Sequence, residues 1–175
     1  LLLEAERFNA VRQQLWQNGM RQGFACLFYG SPGTGKTESV YQLARQSGRD
    51  IMQVDISEIK SMWFGESEKR LKEIFDRYRG YVRDCDPAPI LLFNEADAVL
   101  GRRRTTMGGS LDQTENAMQN ILLQEIERLD GILIATTNLT QNLDQAFERR
   151  SSTKSNSVAR RLRPVVLSGK RCCRR

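Results

Sequence analysis

The stretch that most constrains this chain is Gly30 to Thr37, read as G-S-P-G-T-G-K-T. An apolar run, Ala25 to Tyr29, precedes it, and a helix-like segment, Glu38 to Gln46, follows. The glycine-rich loop therefore sits between a predicted strand and a predicted helix, the context in which this spacing carries a mechanism. Gly30, Gly33 and Gly35 let the backbone turn its N–H groups inward around an anion, in conformations that a side chain would obstruct. Lys36 supplies a point charge suited to β- and γ-phosphates, Thr37 offers a hydroxyl to Mg²⁺, and the following helix aims its partly positive N-terminus at the same anion. Ser31, Pro32, Gly33, Thr34, Gly35, Lys36, Thr37 and Glu38 are the candidate nucleotide-binding residues. The competing reading, a chance glycine turn before a helix, has to accommodate the agreement of eight positions and both flanks.

Charge tests the other obvious binding class. The formal charge of +6 invites a nucleic-acid reading, but residues 151–175 hold 8 of the 27 basic residues and none of the 21 acidic ones. That leaves 19 basic against 21 acidic residues over 1–150, a formal charge of −2. A nucleic-acid argument would rest on the tail and on Arg102, Arg103 and Arg104, and is the weakest reading. The four cysteines form no paired ligand motif and the chain has no histidine, which argues against a zinc site; Cys26 reads as a buried apolar residue. No apolar run approaches the roughly 18 residues needed to cross a bilayer, and the first residues lack a basic leader, so the expectation is a cytoplasmic protein with no membrane partner. The chain begins with Leu, and it reads as a fragment.

Along the chain, residues 4–22 predict a helix with Phe8, Val11, Leu15 and Trp16 on one face, followed by Gly19 and Gly23. Gly48 is a plausible C-cap, and Ile51 to Ile56 alternate as a short strand. Glu66 to Arg79 predicts an amphipathic helix with Leu71, Ile74, Phe75 and Tyr78 inward. Ile90 to Phe93 is the kind of apolar run found in strands buried on both faces. Gly101 to Gly109 predicts an exposed loop. Ser110 with Gln113 reads as a capping box for a helix to about Leu129, and Ile132 to Thr136 as another apolar strand. Strand and helix alternate four times, which implies a parallel sheet with helices on both faces.

The strand Ile90 to Phe93 ends in Asn94-Glu95-Ala96-Asp97. Here the chain resembles the AAA+ ATPases, whose second motif is an apolar strand ending in Asp-Glu. The resemblance puts Glu95 at the general-base position, orienting and deprotonating the water that attacks the γ-phosphate. Asn94 departs from the family's Asp: it keeps an oxygen acceptor near the metal and removes one negative charge, so weaker Mg²⁺ affinity is expected rather than loss of binding. Ile132 to Asn138, I-L-I-A-T-T-N, resembles the sensor 1 strand, which places Asn138 near the γ-phosphate or the attacking water; Asn138 as the start of a turn is the alternative. Ala146 to Arg150 is similar to the arginine-finger segment, implying that Arg149 and Arg150 reach a neighbouring subunit's nucleotide. Ser61 to Glu68, S-M-W-F-G-E-S-E, resembles the first pore loop of remodelling members, with Trp63, Phe64 and Gly65 at its tip gripping polypeptide by apolar contact; core packing of Met62, Trp63 and Phe64 is the alternative.

The resemblance covers residues 4–150. It implies an α/β, three-layer P-loop NTPase fold: an N-terminal helix over 1–23, an ATPase core over 24–150 that is incomplete at its C-terminal end, and no C-terminal helical lid. Shifting residues 150–175 by one base of coding sequence permits a peptide beginning F-L-Y-K-I-E-F that resembles the family's continuation. Residues 151–175 are therefore read as a basic, disordered, out-of-frame tail. The fifth strand is expected to be missing, with Val165 to Leu167 as a weak edge candidate. The implied activity is Mg²⁺-dependent ATP hydrolysis, with ATP and Mg²⁺ as ligands, in a homo-oligomeric, hexameric ring that remodels or translocates an unidentified protein substrate. The runner-up is a nucleotide-binding module with little or no hydrolysis.

Overall fold

The computed structural model describes residues 5–19, 22–60, 66–100, 110–138 and 153–156. Five strands, β1 (Phe24–Tyr29), β2 (Ile51–Asp55), β3 (Ile90–Asn94), β4 (Ile132–Thr137) and β5 (Thr153–Asn156), form one sheet in the order β2-β3-β4-β1-β5. Every pairing is parallel: Ile51 lies opposite Ile90, Ile90 opposite Ile132, and Ile132 opposite Phe24. Parallel neighbours need crossovers: α2 (Lys36–Ser47) joins β1 to β2, α3 (Ile56–Lys60) and α4 (Glu66–Asp84) join β2 to β3, and α5 (Asp97–Leu100) and α6 (Ser110–Glu127) join β3 to β4, while α1 (Ala5–Gln17) precedes the first strand. Among the described residues no helix is long and apolar enough to cross a membrane.

The pleat divides the core in two. Leu91 and Phe93 of β3, Leu133 and Ala135 of β4 and Leu27 of β1 pack with Leu71, Phe75 and Tyr78 of α4 and Met118 and Leu122 of α6. The alternate residues Ile90, Leu92, Ile132, Ile134 and Cys26 pack on the other face with Val40 and Ala44 of α2 and Phe8 of α1. All of Ile90 to Phe93 is fully buried, which is why the run shows no alternation of polar and apolar positions. Phe93 meets Phe75 edge to face, with centroids 5.6 Å apart, and burying each ring contributes about 2–3 kcal/mol.

The close approach of α4 to the sheet rests on one hydroxyl. Tyr78 Oη accepts the Ile132 N–H at 2.7 Å and lies 2.9 Å from the carbonyls of Pro89 and Ile132. Gly131 makes room for it: a Cβ there would stand 2.3 Å from that oxygen. Gly131 is thus a packing site for the Tyr78 ring.

Several expected boundaries move. The first helix ends at Gln17, five residues early, where Asn18 bonds the Gln14 carbonyl and Gly19 turns to φ 66. β2 stops at Asp55, because its carboxylate accepts the N–H of Ser57 at 2.9 Å and caps α3, a helix that alternation could not reveal. The Ser57 hydroxyl donates to the same oxygen at 2.6 Å, and it and the Ser57 N–H hold the Asp55 carboxyl below its ordinary range. The helix from Glu66 runs to Asp84, beyond the expected Arg79. Gly48 does cap α2, at φ 65 with its N–H on Arg45.

The larger correction concerns the tail. Residues 153–156 are not disordered but form β5 on the edge of β1, with Cys26 opposite Thr153 and Tyr29 opposite Asn156. A parallel ladder is made by main-chain groups, so a polar sequence with no hydrophobic period can still complete an open edge. The expected substitute, Val165 to Leu167, lies outside the described residues.

Candidate active site

The loop 30–35 leaves the C-terminal end of β1 and runs into α2 through Gly33 and Gly35 at φ 75 and 80. A Cβ at either would meet no atom within 4 Å, so the need for glycine there is dihedral rather than steric. Lys36 begins α2 and is 8% exposed. Its ammonium donates to the carbonyls of Gly30 and Ser31, both at 3.0 Å, and to Asn138 Oδ1 at 2.9 Å. Thr34 Oγ1 donates to the Ser31 carbonyl at 2.9 Å and closes the loop on itself.

Two strand ends complete the site because β4 lies between β1 and β3. From β3, Asn94 Oδ1 accepts the hydroxyls of Thr37 and Thr136, each at 2.9 Å. Glu95 follows at φ 52, a left-handed conformation that costs a non-glycine residue about 1–2 kcal/mol. The Glu95 N–H donates to Thr136 Oγ1 at 3.3 Å and the Ala96 N–H to the Thr136 carbonyl at 2.9 Å, so β4 holds the turn while the Glu95 side chain remains exposed. Strain of this kind persists where surrounding contacts fix it and is concentrated at functional sites. From β4, the Asn138 N–H donates to Asp97 Oδ1 at 2.9 Å, and the Thr137 hydroxyl donates a hydrogen bond to the same carboxylate oxygen.

The result is an open cleft of about 310 Å³, within the range of small-ligand sites. Pro32, Gly33, Gly35, Lys36, Thr37 and Glu38 line it from the loop and α2; Asn94, Glu95 and Asn138 line it from the opposite side. Ser31 and Thr34, also expected among the ligand contacts, belong to the same loop, where the Ser31 carbonyl accepts from Thr34 Oγ1 and from Lys36. Thr136 and Thr137 line the cleft and were not singled out from sequence; the available signal was a pair of hydroxyls closing an otherwise apolar strand. Trp63, Phe64, Gly65, Arg149 and Arg150 lie outside the described residues.

A P-loop between β1 and α2, a parallel sheet with β4 inserted between β1 and β3, and a carboxylate at the end of β3 define a P-loop NTPase. The model of the family described as "ATPase family associated with various cellular activities (AAA)" matches residues 26–158, and the chain belongs to that family. The match extends past Arg150 and includes β5. Among curated proteins the chain is similar to the peroxisomal ATPase PEX6 of Komagataella pastoris, with 31% identity over 146 residues. That alignment covers 78% of this chain and 12% of the relative, so the chain spans about an eighth of that protein's length.

Proposed function

We propose that the chain binds ATP with Mg²⁺ in this cleft and hydrolyses it, as the ATPase core of a ring, hexameric in the intact protein, that remodels or translocates protein substrates. The observation that carries the hydrolytic part is the convergence of Lys36 with Asn138 and of Thr37 with Asn94 in one cleft that Glu95 also lines. The residues fit Mg²⁺: the Thr37 hydroxyl is an oxygen ligand, with Asn94 and Glu95 beside it, for a hard cation that would be held largely by phosphate oxygens and water. When bound, the ion would neutralise charge on the β- and γ-phosphate oxygens.

Each residue then has a defined task. Lys36 would pair with the β- and γ-phosphates, Thr37 would present its hydroxyl oxygen to the metal, and Asn94 Oδ1 accepts the hydrogen bond that the Thr37 hydroxyl donates. Glu95 takes a proton from the attacking water, which Asn138 helps to orient. Assignment of Arg149 and Arg150 to a neighbouring subunit's site, and of Trp63, Phe64 and Gly65 to polypeptide, rests on the family resemblance. The PEX6 relative is a peroxisomal ATPase, which supports ATP as the ligand.

Replacing Glu95 with Gln should lower Mg²⁺-dependent phosphate release roughly 10²–10⁴-fold while nucleotide binding is retained; unchanged turnover would remove Glu95 from the mechanism. Asn94, a neutral acceptor, favours a second reading, a nucleotide-binding module with little hydrolysis. Phosphate release by neither this chain nor its Asn94→Asp variant would establish that reading.

A further inference from the structure

Position 94 carries an amide, and an amide has two ends. If its NH₂ group faced Thr37, the hydroxyl there would accept a hydrogen bond, and one of its lone pairs would be taken up inside the protein. If the oxygen faces Thr37, the hydroxyl gives up its proton and keeps its lone pairs for a cation. Something in the fold has to choose between the two.

The choice can be traced to Thr136. Its Oγ1 accepts the Glu95 backbone N–H at 3.3 Å, and this N–H can only donate. Thr136 is 2% exposed, so its own proton needs an internal acceptor or loses a hydrogen bond in a buried place. Asn94 Oδ1, at 2.9 Å, is that acceptor. The direction of donation therefore runs from the Glu95 N–H to Thr136 Oγ1, and from the Thr136 hydroxyl to Asn94 Oδ1. With its oxygen pinned on that side, Asn94 also receives the Thr37 hydroxyl at 2.9 Å.

We infer that Thr136 is a positioning residue, which fixes the amide of Asn94 oxygen-inward and so leaves the Thr37 lone pairs available to a nucleotide-bound Mg²⁺. The inference rests on the nucleotide-binding reading of the cleft. It explains how an amide can replace a carboxylate here: a carboxylate accepts from either end and needs no orientation, whereas Asn94 depends on its neighbour. Positions 94 and 136 are therefore coupled, which a double-mutant cycle detects.

The test uses the full chain and fluorescent mant-ADP, titrated first in EDTA and then with rising Mg²⁺. Binding of mant-ADP in EDTA is measured for the parent, Thr136→Val, Thr136→Ala, Thr136→Ser, Asn94→Asp and the double variant of Asn94→Asp with Thr136→Val; saturable binding reports an intact fold and loop, and each protein's Mg²⁺ response is read against its own EDTA baseline. The Mg²⁺ concentration at half-effect should rise roughly tenfold for Thr136→Val and Thr136→Ala, in the range of lost second-sphere contacts, and stay at the parent value for Thr136→Ser. In the Asn94→Asp background, Thr136→Val should shift that midpoint by less than about threefold. An equal shift in both backgrounds, or none in either, overturns the inference while leaving the nucleotide reading intact. Failure of the parent itself to bind mant-ADP overturns that reading and the inference with it.

Discussion

The ammonium of Lys36 and the amide oxygen of Asn138 are 2.9 Å apart, across 102 positions of chain. The contact joins the glycine-rich loop to the tip of β4, so Asn138 braces Lys36; the proposed function adds a second, separable duty on the reacting groups. Lys36→Ala should lose nucleotide binding. Asn138→Ala should lower kcat roughly 10²-fold, the scale of one lost polar contact in a transition state, with KM little changed. Steady-state phosphate release read beside nucleotide binding checks this. Equal loss of binding in the two variants would assign Asn138 to the bracing of Lys36 alone.

Gly131 is expected to be intolerant of even one carbon. A Cβ would stand 2.3 Å from Tyr78 Oη and 2.7 Å from two ring carbons, and the ring is fully buried with its hydroxyl bonded to the Ile132 N–H. Gly131→Ala should destabilise the fold by about 1–3 kcal/mol, the usual cost of overpacking. Urea unfolding of the variant and parent measures it; a midpoint within error of the parent would show that α4 can shift without loss.

Alkaline pH should weaken the fold through the same core. Burial raises the Cys26 thiol to about 11, from 9.0, and the Tyr78 hydroxyl to about 12. Above pH 9 the unfolded chain releases the cysteine proton that the folded chain still holds, so stability falls with rising pH until the folded thiol also ionises near pH 11. Urea midpoints between pH 8 and 10.5 should decline, and the decline should be shallower in Cys26→Ala. Identical slopes would show that Cys26 has no part in it.

How much of this was legible beforehand depends on the range of the interaction involved. Gly30 to Thr37, Asn94, Glu95 and Asn138 were readable because a local loop and two strand ends carry their own residue patterns, and the alternation of strands with helices implied a parallel sheet. Thr136 was not readable as part of the site: its importance comes from facing Asn94 across neighbouring strands, a relation that one-dimensional spacing does not encode. The short helix Ile56–Lys60 was hidden because Asp55 and Ser57 make a cap inside what alternation reads as a strand. Strand β5 was hidden because the pairing of Thr153–Asn156 with β1 draws on backbone groups and leaves no hydrophobic signature.

The placement of β4 has a further consequence. With Ile132 level with Phe24 on one side and Ile90 on the other, one buried ladder acts as a ruler for the cleft. A one-residue slip would displace the β4 tip by about 3.3 Å and turn its side chains to the opposite face. Asn138 would then miss Lys36, and Thr136 would miss Asn94. The calibration of the site is thus inherited from apolar packing some distance below it, and no adjustment at the rim can restore a reading lost there.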